Sequence, residues 1–232
     1  MAEAPGGEPR PSPAVIRAIE RPDPAVVEGY RAVSTATAYE VLGKRGGLGF
    51  AVKPLRHGMR VCGPATTVRA HIGDTLVILR AIEIAQPGDV LVVDAGDSEE
   101  ACCWGGTSSL AAQLRGIAGF VCNGTVRDSA EIARLGFPVF ARGASVEGSA
   151  KAAPGLVNHP IAIGRAAIQP GDLVLGDDDG VVVMPRAEAA ALLPRCLAFQ
   201  EAAARRLAAL RAGGSILDGP GYRDRLRELG LE

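Results

Sequence analysis

The stretch Gly124-Thr-Val-Arg-Asp-Ser-Ala-Glu-Ile-Ala-Arg-Leu-Gly136 places Arg127, Asp128 and Glu131 within five residues, directly behind the apolar run Gly119-Phe-Val-Cys122. Two carboxylates three residues apart share one face if a helix starts near Asp128. Their oxygens are suitable ligands for a hard divalent cation such as Mg²⁺ or Mn²⁺. The same acids also oppose a helix macrodipole favourably, and an adjacent arginine can simply pair with one of them. Spacing alone leaves both readings open.

A second segment lies upstream. Trp104-Gly105-Gly106-Thr107-Ser108-Ser109 opens a helix with glycines and hydroxyl residues, so its first backbone amides form a small anion site. Glycine there lets the backbone approach a ligand closely. An ordinary helix start accounts for this segment equally well. If adjacent parallel strands feed both helices, the amides of residues 105–108, Arg127 and the two carboxylates meet over one crevice. A 2-oxo acid fits such a crevice, with its carboxylate on the amides and guanidinium and its keto oxygen on a metal. Trp104 and Cys103 are the expected crevice walls.

The elements that must do this positioning are short. Strands are expected near 60–63, 65–70 and 90–94, with a helix near 75–85. Val90-Leu-Val-Val-Asp94 does not alternate, as befits a strand covered on both faces. Helices are expected at Thr107–Arg115 and Ser129–Leu135, with strands at 119–122 and 138–141. This strand and helix alternation implies right-handed crossovers and a parallel sheet, an α/β chain. A short helix precedes Gly43, a strand pair flanks Asp177-Asp-Asp-Gly180, and an Ala-rich helix that Pro194 breaks or kinks follows from about 186. Residues 1–24 read as a mobile arm and 25–232 as one domain.

The bulk composition excludes several partners. Lys and Arg number 25 against 26 Asp and Glu, with no basic stripe, which argues against nucleic acid. No apolar run is long enough to span a membrane, and no secretory signal opens the chain, so a cytoplasmic protein is expected. The five cysteines form no CxxC pair and read as free thiols; the three histidines have no zinc-ligand spacing. The acidic turn at 177–180 reads as a hairpin turn rather than a cation site.

Gly106, twenty residues, Arg127-Asp128, two residues, Glu131 resembles the pattern of metal-binding RraA-like proteins and of the class II pyruvate aldolases that act on 4-hydroxy-4-methyl-2-oxoglutarate and 4-carboxy-4-hydroxy-2-oxoadipate. The segments "STATAYEVLGKRG", "GMRVCGPATTV", "PGDVLVVDAG", "GIAGFVCNGTVRD", "LGFPVFARG" and "PGDLVLGDDDGVVVMP" extend the resemblance in family order over roughly residues 30–215. The resemblance implies a compact β/β/α domain of the swivelling phosphohistidine type with a C-terminal helical tail. It also implies a homotrimer or a hexamer built as a dimer of trimers, with sites between subunits.

On this resemblance Arg127 binds the pyruvoyl carboxylate, assisted by Gly105, Gly106, Thr107 and Ser108. Asp128 and Glu131 hold Mg²⁺ or Mn²⁺, Glu40 is a catalytic acid near the metal waters, and Glu201 comes from a neighbouring subunit. The implied activity is metal-dependent cleavage of a 4-hydroxy-2-oxo acid to pyruvate, with oxaloacetate decarboxylation beside it; the other role in the family is regulation of a ribonuclease. The best-known aldolases carry aspartate where this chain has Gly106, and Glu131 takes the place of that carboxylate.

Overall fold

A computed structural model describes residues 13–99 and 101–231. Helices α1 (Pro24–Tyr30) and α2 (Thr35–Val41) begin at Asp23 and Ser34, whose side-chain oxygens accept from the amides of Ala25 and Thr37. There follow β1 (Lys53–Pro54), β2 (Val61–Arg69), α3 (Leu76–Ile84) and β3 (Val90–Asp94). The middle of the chain holds β4 (Cys102–Trp104), α4 (Gly106–Leu114), β5 (Gly119–Cys122), β6 (Thr125–Val126), α5 (Ser129–Leu135), β7 (Val139–Ala141) and β8 (Gly143–Ala144). After β9 (Leu156–Val157) come the hairpins β10 (Ile161–Ile163) with β11 (Ala166–Ile168) and β12 (Leu173–Asp177) with β13 (Gly180–Met184), then α6 (Arg186–Arg211) and α7 (Tyr222–Glu228).

The main sheet runs β1-β7-β5-β3-β2-β12-β13, with β9 also on β2. Strands β2, β3, β5 and β7 are mutually parallel, as the strand and helix alternation predicts. Strand β3 shows why its sequence lacks alternation. Leu91 and Val93 enter a core with Ile78, Phe120 and Ile132 under the helices, while Val90 and Val92 enter a second core with Ile161, Ile168 and Phe140. A third core lies between α1, α2, α6 and the β12–β13 hairpin. A small parallel sheet, β4-β6-β8, stands apart from the main one and carries the chain into α4 and α5.

The two strands expected at 60–63 and 65–70 are one. Pro64 does not interrupt β2 because the strand changes partner there: residues 61–64 pair with β12, and residues 65–69 with β3. The missing proline N–H falls at the handover, where it costs least. Nor does Pro194 break α6, which runs continuously over 26 residues. Only its first half is packed, through Ala189, Leu192 and Cys196. Among the described residues no helix is long and apolar enough to cross a membrane. All five cysteines are free and buried. In the acidic turn Asp177 accepts from Thr35 at the start of α2, and Asp178 pairs with His57 at 2.8 Å, so both have structural work.

The expected mobile arm needs correction. Residues 1–12 lie outside the described residues, but 13–23 are fastened to the body. Val15 bridges Val157, the Ile16 amide donates to Val157 O at 3.1 Å, and Arg21 clasps the buried Asp89 with two hydrogen bonds of 2.8 Å. Asp89 also accepts from Thr66 and the Gln86 amide. Removing the arginine would strand a carboxylate that is 1% exposed. Arg21→Ala should therefore lower unfolding free energy by about 2 kcal/mol in urea titrations, less than for a fully buried pair because Arg21 remains partly solvated.

Candidate active site

The segment from Arg127 to Glu131 forms the corner between β6 and α5, beside the β4–α4 corner. Strands β4 and β6 pair in parallel, so both helix starts face the same side. The Arg127 amide donates to Trp104 O at 3.0 Å, locking the two corners together.

Asp128 adopts the left-handed region, with φ 59° and ψ 36°. It is the N-cap residue of α5, its carbonyl accepting from the Glu131 and Ile132 amides, yet its side chain makes no capping hydrogen bond. Its Oδ2 instead accepts from the Gly106 amide at 3.0 Å, the first turn of the neighbouring helix. A non-glycine residue held in this conformation stores strain, and such strain gathers at functional sites.

Steric detail explains the two glycines. A Cβ on Gly105 would lie 2.8 Å from Asp128 Oδ2 and 3.3 Å from Arg127 Cγ. On Gly106 it would lie 2.7 Å from Glu131 Oε2. Both carboxylates thus rest against backbone that only glycine leaves uncovered. The Arg127 guanidinium is half-exposed, 3.8 Å from Asp128 Oδ2 through Nε, with no hydrogen bond to a protein group among the described residues. The amides of Thr107 and Ser108 likewise have no protein acceptor there.

Arg127 and Asp128 form a ridge between two depressions. One, of about 750 Å³, is open and carries Glu131, Arg134 and Val146. The other, of about 300 Å³, is lined by Trp104, Gly105, Thr107 and Ser108 together with Thr75, Ser149 and Lys151. The sequence reading missed the last three. Their only signal was hydroxyl and basic residues in loops far along the chain, and nothing local pointed at the crevice.

Of the expected walls, Trp104 lines the smaller cavity, and Cys102, which was not expected there, lines it too. Cys103 does not; it is 2% exposed and packed in the core under the helices. There the adjacent Cys122 thiol, then burial, push the Cys103 thiol well above the usual range. Trp104 is fixed by stacking on Phe120 at 4.0 Å and by donating to Ser109 Oγ at 2.7 Å.

Arg127, Asp128, Glu131 and the 105–108 segment are therefore brought together, whereas Glu40 and Glu201 are not. Glu40 sits on α2, against the far end of the sheet, 3.8 Å from Lys44; Glu201 lies on the exposed half of α6, 3.5 Å from Arg205. Neither residue lines the crevice of its own chain. Among the described residues no set of three carboxylate, imidazole or thiol groups is placed to hold a metal.

Parallel strands thus feed two helix starts, with an arginine and two carboxylates where they meet. The RraA-like family model, described as Aldolase/RraA, matches residues 32–183, and the chain belongs to that family. It is 41% identical over 160 residues, 68% of this chain and 76% of the relative, to a Halalkalibacterium halodurans protein named "Putative 4-hydroxy-4-methyl-2-oxoglutarate aldolase". Among solved structures it resembles an uncharacterized Pseudomonas syringae protein (TM-score 0.73, 27% identity, 85% and 97% of the two chains covered). It also resembles Streptomyces coelicolor RraAS2, described as an unusual member of the RNase ES inhibitor RraA family (TM-score 0.72, 32% identity, 82% and 100% covered). The mixed α/β fold with a long C-terminal helix is shared with these structures.

The strain at Asp128 gives a direct test. Asp128→Gly relieves the left-handed backbone while deleting the carboxylate, so stability in urea should stay within about 1 kcal/mol of the parent or rise. Oxalate binding measured by calorimetry in the presence of Mg²⁺ should be lost in the same variant. A large loss of stability would instead make Asp128 a structural cap.

Proposed function

We propose that this chain is a divalent-metal-dependent lyase that cleaves a 4-hydroxy-2-oxo acid of the 4-hydroxy-4-methyl-2-oxoglutarate type to pyruvate and a second carbonyl compound, and that it also decarboxylates oxaloacetate. The observation that carries the reading is the strained Asp128, whose carboxylate is turned out of its own helix beside an arginine with no other partner among the described residues.

Two oxygen-donor carboxylates, Asp128 and Glu131, leaning over Gly105 and Gly106, fit Mg²⁺ or Mn²⁺, which ordinarily takes one or two carboxylates and completes its shell with water and substrate. When bound, the ion would supply Lewis-acid polarisation of the 2-oxo oxygen. Arg127 holds the substrate carboxylate and fixes its orientation. The amides of Thr107 and Ser108, at the positive end of α4, offset the negative charge that builds as the bond between C3 and C4 breaks. Glu131, at the open side, would steer a water that takes the C4 hydroxyl proton, and solvent would return a proton to C3 to give pyruvate. Oxaloacetate needs the same charge stabilisation and no base. Glu201 would contribute only from a neighbouring copy, as a trimeric or hexameric assembly would allow.

The resemblance to an RNase ES inhibitor favours a second reading, a regulatory binding protein, which requires no turnover in the crevice. Pyruvate release from oxaloacetate and from a 4-hydroxy-2-oxo acid separates them. Turnover should require Mg²⁺ or Mn²⁺, vanish with chelator, and fall at least about 100-fold in Asp128→Ala and Arg127→Ala. Absent or metal-independent turnover contradicts the lyase.

A further inference from the structure

Asp74 lies in the loop that enters α3 and is 2% exposed. No cation pairs with its carboxylate among the described residues. Instead it accepts three amides: Leu76 N at 2.8 Å on Oδ1, and Ala152 N at 2.7 Å and Ala153 N at 2.8 Å on Oδ2. These hydrogen bonds, that from Ala152 foremost, hold the carboxyl below its ordinary range. Burying a carboxylate without a counter-ion is costly, and here the return is the anchoring of a loop 78 residues away.

The same loop is stitched a second time. Ala150 N donates to Gly73 O at 2.7 Å, Thr75 N donates to Ala150 O at 3.0 Å, and the Ser149 and Thr75 hydroxyls meet at 3.4 Å. The chain is thus fixed at Ala150 and again at Ala152, on either side of one residue. That residue is Lys151, exposed, with no carboxylate partner among the described residues, and lining the cavity of about 300 Å³ that Arg127 also lines. Two cations from separate elements face one small cavity, and Asp128 is the acidic residue in its lining.

We propose that Asp74 is a positioning residue that fixes the 149–153 loop so that Lys151 reads a second anionic group on the ligand, making the crevice selective for dianionic over monoanionic 2-oxo acids. The proposal rests on the 2-oxo acid reading above and adds the residues that choose among such acids. Arg127 serves the carboxylate common to all of them. Lys151 is engaged only when the far end of the ligand is also charged.

The single tryptophan, Trp104, lines the same cavity, so its fluorescence reports binding without turnover. The full chain is titrated with pyruvate and with 2-oxoglutarate in the presence of Mg²⁺. The parent should prefer 2-oxoglutarate by about tenfold, the scale of one charge-assisted hydrogen bond. Lys151→Gln should abolish the preference while leaving pyruvate within about twofold, and Lys151→Arg should retain it. Asp74→Asn, which turns an amide donor toward backbone donors, should lose most of the preference while its melting transition stays cooperative. Equal weakening of both ligands in Asp74→Asn or in Lys151→Gln, an intact preference in Lys151→Gln, or a parent that binds neither acid or both alike would overturn the proposal. If the preference behaves as stated but no 4-hydroxy-2-oxo acid is cleaved, the lyase reading fails and the selectivity stands.

Discussion

The hydrogen bond from the Gly106 amide to the Asp128 carboxylate, 3.0 Å long, ties the start of one helix to the residue before the next. Asp128 reaches it only by taking the left-handed conformation, which turns its side chain away from α5. With that conformation fixed, Arg127 is carried to one side of the carboxylate and Glu131 to the other, above Gly106. The small β4-β6-β8 sheet exists to hold these corners in register. Its strands are only two or three residues long, so they depend on the larger sheet beneath and add little stability of their own.

The same contacts rationalise where this chain departs from the aldolases it resembles. An aspartate at 106 would start from a Cβ 2.7 Å from Glu131 Oε2, against the carboxylate already there. Glu131 and a carboxylate at 106 therefore compete for one volume, and like charge adds to the steric conflict. In the position it takes here, the Glu131 carboxylate lies over the bare glycine on α4.

Much of this was legible because it is local. Strand β3 has its buried pattern in four consecutive apolar residues, and α5 has its start and its Gly136 stop within eight positions. Arg127, Asp128 and Glu131 stand out in the sequence only when read with the 105–108 segment upstream. The rest is set by long-range pairing. Pro64 reads as a break until β2 is seen to change partners there. The arm at 13–23 reads as loose because its anchors, Val157 and Asp89, are distant in sequence. Lys151 enters the crevice through a tether to Asp74 that no local pattern announces. Glu40 fails for the opposite reason: its place on α2 was predicted well enough, but α2 packs at the other end of the sheet.

The central claim is that Arg127 and the paired carboxylates form one site for a 2-oxo acid and a divalent ion. It is tested most directly by soaking crystals with oxalate and Mg²⁺. Density for oxalate should bridge the Arg127 guanidinium and the start of α4, with an octahedral ion against Asp128. Density remote from Arg127, or oxalate bound there with the Asp128 carboxylate left uninvolved, would contradict the account.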